Sequence, residues 1–175
     1  MEPRERSKES TLLHRLGGFS SNMVVNHHLE NLSEFVLHDL CSDDLFNIPK
    51  AAYLVNNPDF ECMKGVVGYT HEQAFHKGNN WECQKDFTSH MKQSDFNQKV
   101  RLVSGKALAR DGAGLESKRV HQLADELEID NPLFHVWAMK HDNQGLLIYQ
   151  RPERMDVFHE QMVHFMPMLS FCSVF

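Results

Sequence analysis

Apolar positions along this chain fall into short runs whose period changes from segment to segment, and the period predicts the elements. Leu29, Leu32, Val36 and Leu40 recur at three- and four-residue spacing, which predicts a helix from His27 to Leu40 with Asn26 as its N-cap. Ahead of it, Thr11 to Leu16 suits a short helix that Gly17-Gly18 would stop, while Phe19 to Asn26 fits neither period. Ala51 to Val55 is short, apolar and followed by Asn56-Asn57-Pro58-Asp59, the pattern of a buried strand entering a turn. Cys62 to Tyr69 reads as a second strand. Thr70 is placed to cap a short helix over His71 to Phe75, which Gly78-Asn79-Asn80 ends.

Farther along, Glu82 to Met91 reads as a helix, Lys99 to Val103 as a strand and Asp111 to Gly114 as a loop. Val120, Leu123, Ala124 and Leu127 form one stripe of a helix from Ser117 to Leu127. Leu133 to Met139 is apolar and aromatic on both faces, as a central strand would be. His141 to Gly145 supplies a turn and Leu146 to Tyr149 the returning strand. Pro152 fits the first position of a final helix, or a turn before it; that helix presents Phe158, Met162, Phe165 and Met166 on one side, and Pro167 should kink or end it. This order predicts an α+β fold: a central antiparallel sheet with flanking helices.

Size and charge narrow the picture. A chain of 175 residues suits one domain, here 11–175, preceded by a flexible polar arm over 1–10. A net charge of -6, with no cluster of lysine or arginine interleaved with aromatics, argues against direct nucleic-acid contact. The first ten residues lack an apolar core, and no run reaches the length of a membrane span. Cys41, Cys62, Cys83 and Cys172 are scattered, without a CxxC pair, and read as reduced, mostly buried thiols. The expected location is cytoplasmic, away from any membrane.

Two hexapeptides, His71-Glu72-Gln73-Ala74-Phe75-His76 and His159-Glu160-Gln161-Met162-Val163-His164, share the pattern HEQxxH. A zincin helix needs its histidines four apart on one face. Five apart, they diverge by about 140° on a helix. Cys62, His71, His76 and Cys83 together offer a zinc-type donor set, though their spacing matches no structural zinc knuckle, and the plain alternative is two buried thiols and two surface imidazoles. Ser104-Gly105-Lys106 lacks the frame of a phosphate loop: Val100 stands where the upstream glycine should be and Ala107 replaces the Ser/Thr. Neither Cys62 nor Cys83 sits in a recognisable nucleophile context.

An aromatic pocket is the other candidate. Trp137, His135 and Met139 alternate onto one face, and Tyr53, Trp81 and Phe87 are placed to contribute to a ligand cavity with His135 as its polar anchor. An ordinary core is the alternative reading of the same residues.

The run from Leu133 to Leu169, strand, polar turn ending in Gly145, strand ending in Arg151-Pro152, then Phe158 and a helix reaching Met166-Pro167-Met168-Leu169, resembles the closing section of GAF- and PAS-like sensory domains. It looks closest to those that open LuxR-type transcription regulators. The helix before the Ala51 strand fits that layout, and Gly68-Tyr69-Thr70-His71-Glu72-Gln73 is similar to the G-Y-[ST]-x-E-E phrase of PAS domains. The resemblance implies a sensory or ligand-binding domain in signal transduction or transcription regulation, without enzymatic activity. It would relay a small-molecule signal through a homodimer interface built from the Asp156 to Met166 helix and the His27 to Leu40 helix. Members of such families bind small ligands, haem or flavin, or only dimerise, and the residues here identify no cofactor. The rival expectation is a metal-dependent enzyme using the cluster around His71 and His76.

Overall fold

The computed structural model describes residues 3–111, 114–115, 117–153 and 158–172, with backbone alone for 3–10, 110–111, 114–115 and 158–161. Five strands form one antiparallel sheet in the spatial order β3 (Ser104–Lys106), β2 (Cys62–Thr70), β1 (Lys50–Asn57), β7 (Gln144–Gln150), β6 (Pro132–Ala138). Arg110–Asp111 and Gly114–Leu115, β4 and β5, pair in a small separate hairpin where a loop was expected. The helices are α1 (Pro3–Val25), α2 (Leu32–Cys41), α3 (Gln84–Gln93), α4 (Asp95–Leu102), α5 (Ser117–Glu126) and α6 (Phe158–Phe165), with 3-10 turns at His71–Gln73 and Met166–Phe171. The α+β class and the helix-flanked antiparallel sheet are therefore as the periodicity predicts.

Alternation along the strands sorts the core into two layers. Tyr53, Val67, Tyr69, Leu147, Tyr149 and Trp137 face the layer that holds α1, α2 and the C-terminal segment. Ala52, Leu54, Leu146 and Ile148 face Phe96 and Val100 of α4 and Val120, Leu123 and Ala124 of α5. A bulge at β2 shifts the register between Tyr53 and Leu54, so that Leu54 lies opposite Gly65 and Ala52 opposite Gly68. Both glycines then face α4, which lies close on the β2 backbone.

Several expectations are corrected. The strand expected over Lys99 to Val103 is the end of α4 and the residue after it. Ser94 caps that helix, its Oγ accepting from the Asn97 N–H at 3.2 Å, and the N-cap in Ser94-Asp95 was the sequence signal for it. The helix expected from His27 starts at Leu32, and Asn26 follows α1, its Nδ2 donating to the Asn22 carbonyl at 2.8 Å. The strand bearing Trp137 is an edge of the sheet; β1 is its centre.

Gly17-Gly18 does not stop α1, which begins at Pro3, inside the stretch read as an arm. Met1, Glu2 and Asp156, the expected first residue of the last helix, lie outside the described residues. Leu12, Leu16, Phe19 and Met23 are buried at spacings of four, three and four, and that stripe carries the helix across both glycines. Tertiary burial outweighs about 1 kcal/mol of unfavourable propensity at each glycine. Neither glycine has other atoms within 4 Å of where a Cβ would stand. Gly17→Ala should therefore raise stability by about 0.5–1 kcal/mol, read as a higher urea midpoint at unchanged slope.

Candidate functional site

Helix α2 is buried almost all round, so its polar residues need partners from the layers against it. Glu34, 2 % exposed, accepts from Asn31 Nδ2 at 2.8 Å, Asn97 Nδ2 at 2.9 Å and Arg101 Nη1 at 3.1 Å. Asn97 also accepts from the Gly68 N–H and donates to the Met91 carbonyl, tying α2, α3, α4 and β2 together. This network is structural: every member is spent on another.

The other end of α2 opens to solvent. A groove of about 710 Å³ runs between α1, the turn after α2 and the 71–81 segment. Asp39 lies in its wall. One carboxylate oxygen accepts from Asn80 Nδ2 at 2.7 Å and the other from Trp81 Nε1 at 2.6 Å. Burial raises the Asp39 carboxyl above its ordinary range, while the Trp81 and Asn80 hydrogen bonds hold it down. Beside it, His38 Nε2 accepts from the Phe75 N–H at 3.0 Å. Burial, then the charges of His90, His76 and His71, push the His38 imidazole down to about 4. His71 Nε2 lies 3.3 Å from the Cys41 carbonyl and 3.6 Å from Asp43 Oδ1 on the rim. Arg15 of α1 reaches over the rim to Asp44, donating to its carbonyl at 2.6 Å and pairing with its carboxylate at 3.1 Å. The groove thus presents carboxylate, imidazole and amide groups over an aromatic base of Phe19, Tyr69, Phe75 and Trp81.

The aromatic residues singled out in the sequence separate into two groups. His135, Trp137 and Tyr53 form one stacked row on the sheet, with centroids 6.0 Å and 5.6 Å apart, and Tyr53 Oη donates to Met139 Sδ at 3.7 Å. Trp137 crosses the bare backbone of Gly145 and donates its Nε1–H to Ser170 Oγ of the C-terminal 3-10 turn. Burial lowers the His135 imidazole, with a smaller contribution from His164. Trp81 and Phe87 instead pack on Phe35 of α2, at 5.0 Å and 4.3 Å. Of the six, Trp81 lines the groove.

The zinc-type set is dispersed. Cys62 opens β2 and His71 follows its far end, roughly 30 Å away at about 3.3 Å per residue. Cys62 is exposed, Cys83 half-buried ahead of α3, and Cys41 and Cys172 are the buried thiols. His71 belongs to a 3-10 turn and His76 to the extended chain after it, so the first HEQxxH is not on an α-helix. The second lies on α6, with the side chains of His159, Glu160 and Gln161 outside those described. Among the described residues no group of three or more His, Cys, Asp and Glu side chains is placed to hold a metal ion. Nor, among them, is any helix long and apolar enough to cross a membrane. Ser104-Gly105-Lys106 is the edge strand β3.

Sequence reasoning missed His38, Asp39 and Arg15. The one available signal was a polar His-Asp pair between Leu37 and Leu40 of the helix's apolar run, which demands partners that local periodicity does not supply. No protein-family model, curated protein or solved structure matches this chain.

Proposed function

We propose that this chain is a cytoplasmic sensory domain of GAF/PAS type, without enzymatic activity, that binds a small polar ligand in the groove beside Asp39 and relays occupancy through its helices. The observation that carries the reading is the groove itself, a solvent-open cleft whose wall holds the half-buried, hydrogen-bonded carboxylate of Asp39. Pockets that converge a few fixed polar groups on an aromatic base suit small-molecule recognition. The β1–β2 and β6–β7 hairpins, joined through the pairing of β1 with β7 and flanked by α2 before and α6 after, support the GAF/PAS comparison.

In this reading the ligand meets the rim at Asp43, His71 and Asn79. Arg15 then passes the change to α1, because its hydrogen bond and ion pair with Asp44 join that helix to the rim. Leu13, Val24 and Val25 are exposed on α1, and Phe171 on the C-terminal turn. A homodimer using these helices would bury them and read the shift as a change in packing. A signalling or transcription-regulating partner would supply any contact with DNA.

Protein-observed ¹H–¹⁵N NMR with a library of polar aromatic fragments tests the site. Fragments that bind should shift the indole N–H resonance of Trp81 and leave that of Trp137 in place. The Asp43 side chain is 87 % exposed, so Asp43→Ala should keep stability within about 0.5 kcal/mol. Its lost contact should weaken those fragments about five- to tenfold. Fragments that shift only Trp137, or bind Asp43→Ala unchanged, would place the site elsewhere.

A further inference from the structure

Three histidines tie the 71–75 backbone to its surroundings, and they do so with opposite hydrogen-bond polarity. His71 Nε2 faces the Cys41 carbonyl at 3.3 Å, and His90 Nε2 faces the Gln73 carbonyl at 2.7 Å. A ring nitrogen facing a carbonyl must donate, and a protonated imidazole donates as well as a neutral one. His38 Nε2 faces the Phe75 N–H at 3.0 Å, so it must accept, which requires a neutral ring with its proton on Nδ1. Protonating His38 sets two N–H groups against each other, and this bond cannot survive it. Phe75 sits on this bond with its ring packed edge-on to Phe87 at 5.5 Å and buried, so freeing its amide frees a core residue and the chain that follows.

We propose that the 71–81 segment is a proton-operated latch on the groove, in which His38 is the trigger and His71 and His90 are hinges that keep their bonds on protonation. Opening removes one whole wall of the groove, including Phe75, Asn80 and Trp81. The inference concerns the wall and not its occupant, so it stands or falls separately from the ligand-binding reading.

The charges around His38 set the direction. His71 and His76 from the latch and His90 from α3 face it and disfavour its cation. Asp39 on α2, Asp43 and Asp44 after it, Tyr69 on β2 and Arg15 on α1 complete the surroundings. Closed, the His38 ring titrates near 4; released into water, it returns to about 6.5. The open form therefore binds the proton more readily, so the contribution of His38 to closure is fully present above about pH 6.5 and is lost as pH falls toward 4. Asp39 acts in the opposite sense: its raised carboxyl takes up a proton more readily in the closed form, which opposes release at the acid end of that range.

Hydrogen exchange read by mass spectrometry, corrected for the intrinsic pH dependence of exchange, tests the latch on the full chain. Protection of 71–81 should fall about 30-fold between pH 7.5 and pH 5, while β1 and β7 keep theirs. His38→Gln, whose amide oxygen can accept from the Phe75 N–H without titrating, should flatten that fall to less than about threefold. His71→Gln should keep the slope. If His38→Gln folds poorly, the wild type decides: the ¹⁵N shifts of the His38 ring must titrate together with the loss of 71–81 protection. A full fall in His38→Gln, a His38 ring that stays neutral while the segment opens, or simultaneous loss of protection in β1 and β7 would each overturn the proposal.

Discussion

Gly65→Ala is expected to lower the stability of this protein by about 3 kcal/mol, the upper end of what overpacking costs. A Cβ at Gly65 would overlap the carbonyl group of Val100, so the obstacle is backbone and no rotamer change relieves it. The neighbouring Gly65 N–H donates to the Val103 carbonyl at 2.9 Å, which fixes the end of α4 against β2. Pushing α4 outward also moves Asn97, and with it the Gly68 N–H and the buried Glu34 carboxylate that depend on that side chain. An unpartnered buried group costs about 1–3 kcal/mol, so the relaxed variant has no inexpensive position for the helix. For a chain of 175 residues the midpoint of thermal unfolding should fall roughly 6–12 °C. Urea unfolding of Gly65→Ala beside Gly17→Ala gives the sign test: the same added methyl destabilises on β2 and stabilises in α1. A loss below about 1 kcal/mol at Gly65 would mean that α4 does not lie on the strand as described.

Trp137→Ala is the second large effect, about 3–4 kcal/mol, within the range for deleting a buried aromatic side chain. The ring is 8 % exposed although it stands on an edge strand, because Gly145 leaves room for it to lie across β7 and stack on Tyr53. Its Nε1–H also anchors the C-terminal 3-10 turn at Ser170, so truncation should loosen that turn as well as the sheet edge. Gly145 supplies the internal check. With Trp137 present, Gly145→Ala clashes with the indole and should cost about 1–3 kcal/mol. In the Trp137→Ala background the same methyl enters empty space and should become neutral or stabilising, giving a coupling of about 1–3 kcal/mol in a double-mutant cycle. Fragments that bind the Asp39 groove should keep their affinity in Trp137→Ala. Their loss would return the ligand to the His135–Trp137–Tyr53 row.

The elements that periodicity located are those whose burial is settled by close neighbours in the chain. Val120, Leu123 and Ala124 lie on one face of α5, and Leu146 to Tyr149 returns against the Trp137 strand within a tight turn. In that turn, His141 and Asp142 adopt positive φ of 57° and 55°. Periodicity failed where a segment is short and its apolar content ambiguous. Val100, Leu102 and Val103 read as a strand until the cap at Ser94 and the bare backbone of β2 are considered together. It failed again at α1, where two glycines masked a buried stripe that spaced itself evenly across them.

The chain alone determined an α+β fold and the Trp137 hairpin, because side-chain period is a local property. Which polar groups meet was decided only by the tertiary structure. Glu34 finds Asn97 across 63 residues, His38 finds the Phe75 amide across 37, and Asp39 finds the Trp81 indole across 42. A buried helix must satisfy every polar side chain it carries, and the partners come from whichever layer the packing brings alongside. Closing such a contact depends on how the whole sheet is ordered, and no window of neighbouring residues contains that information.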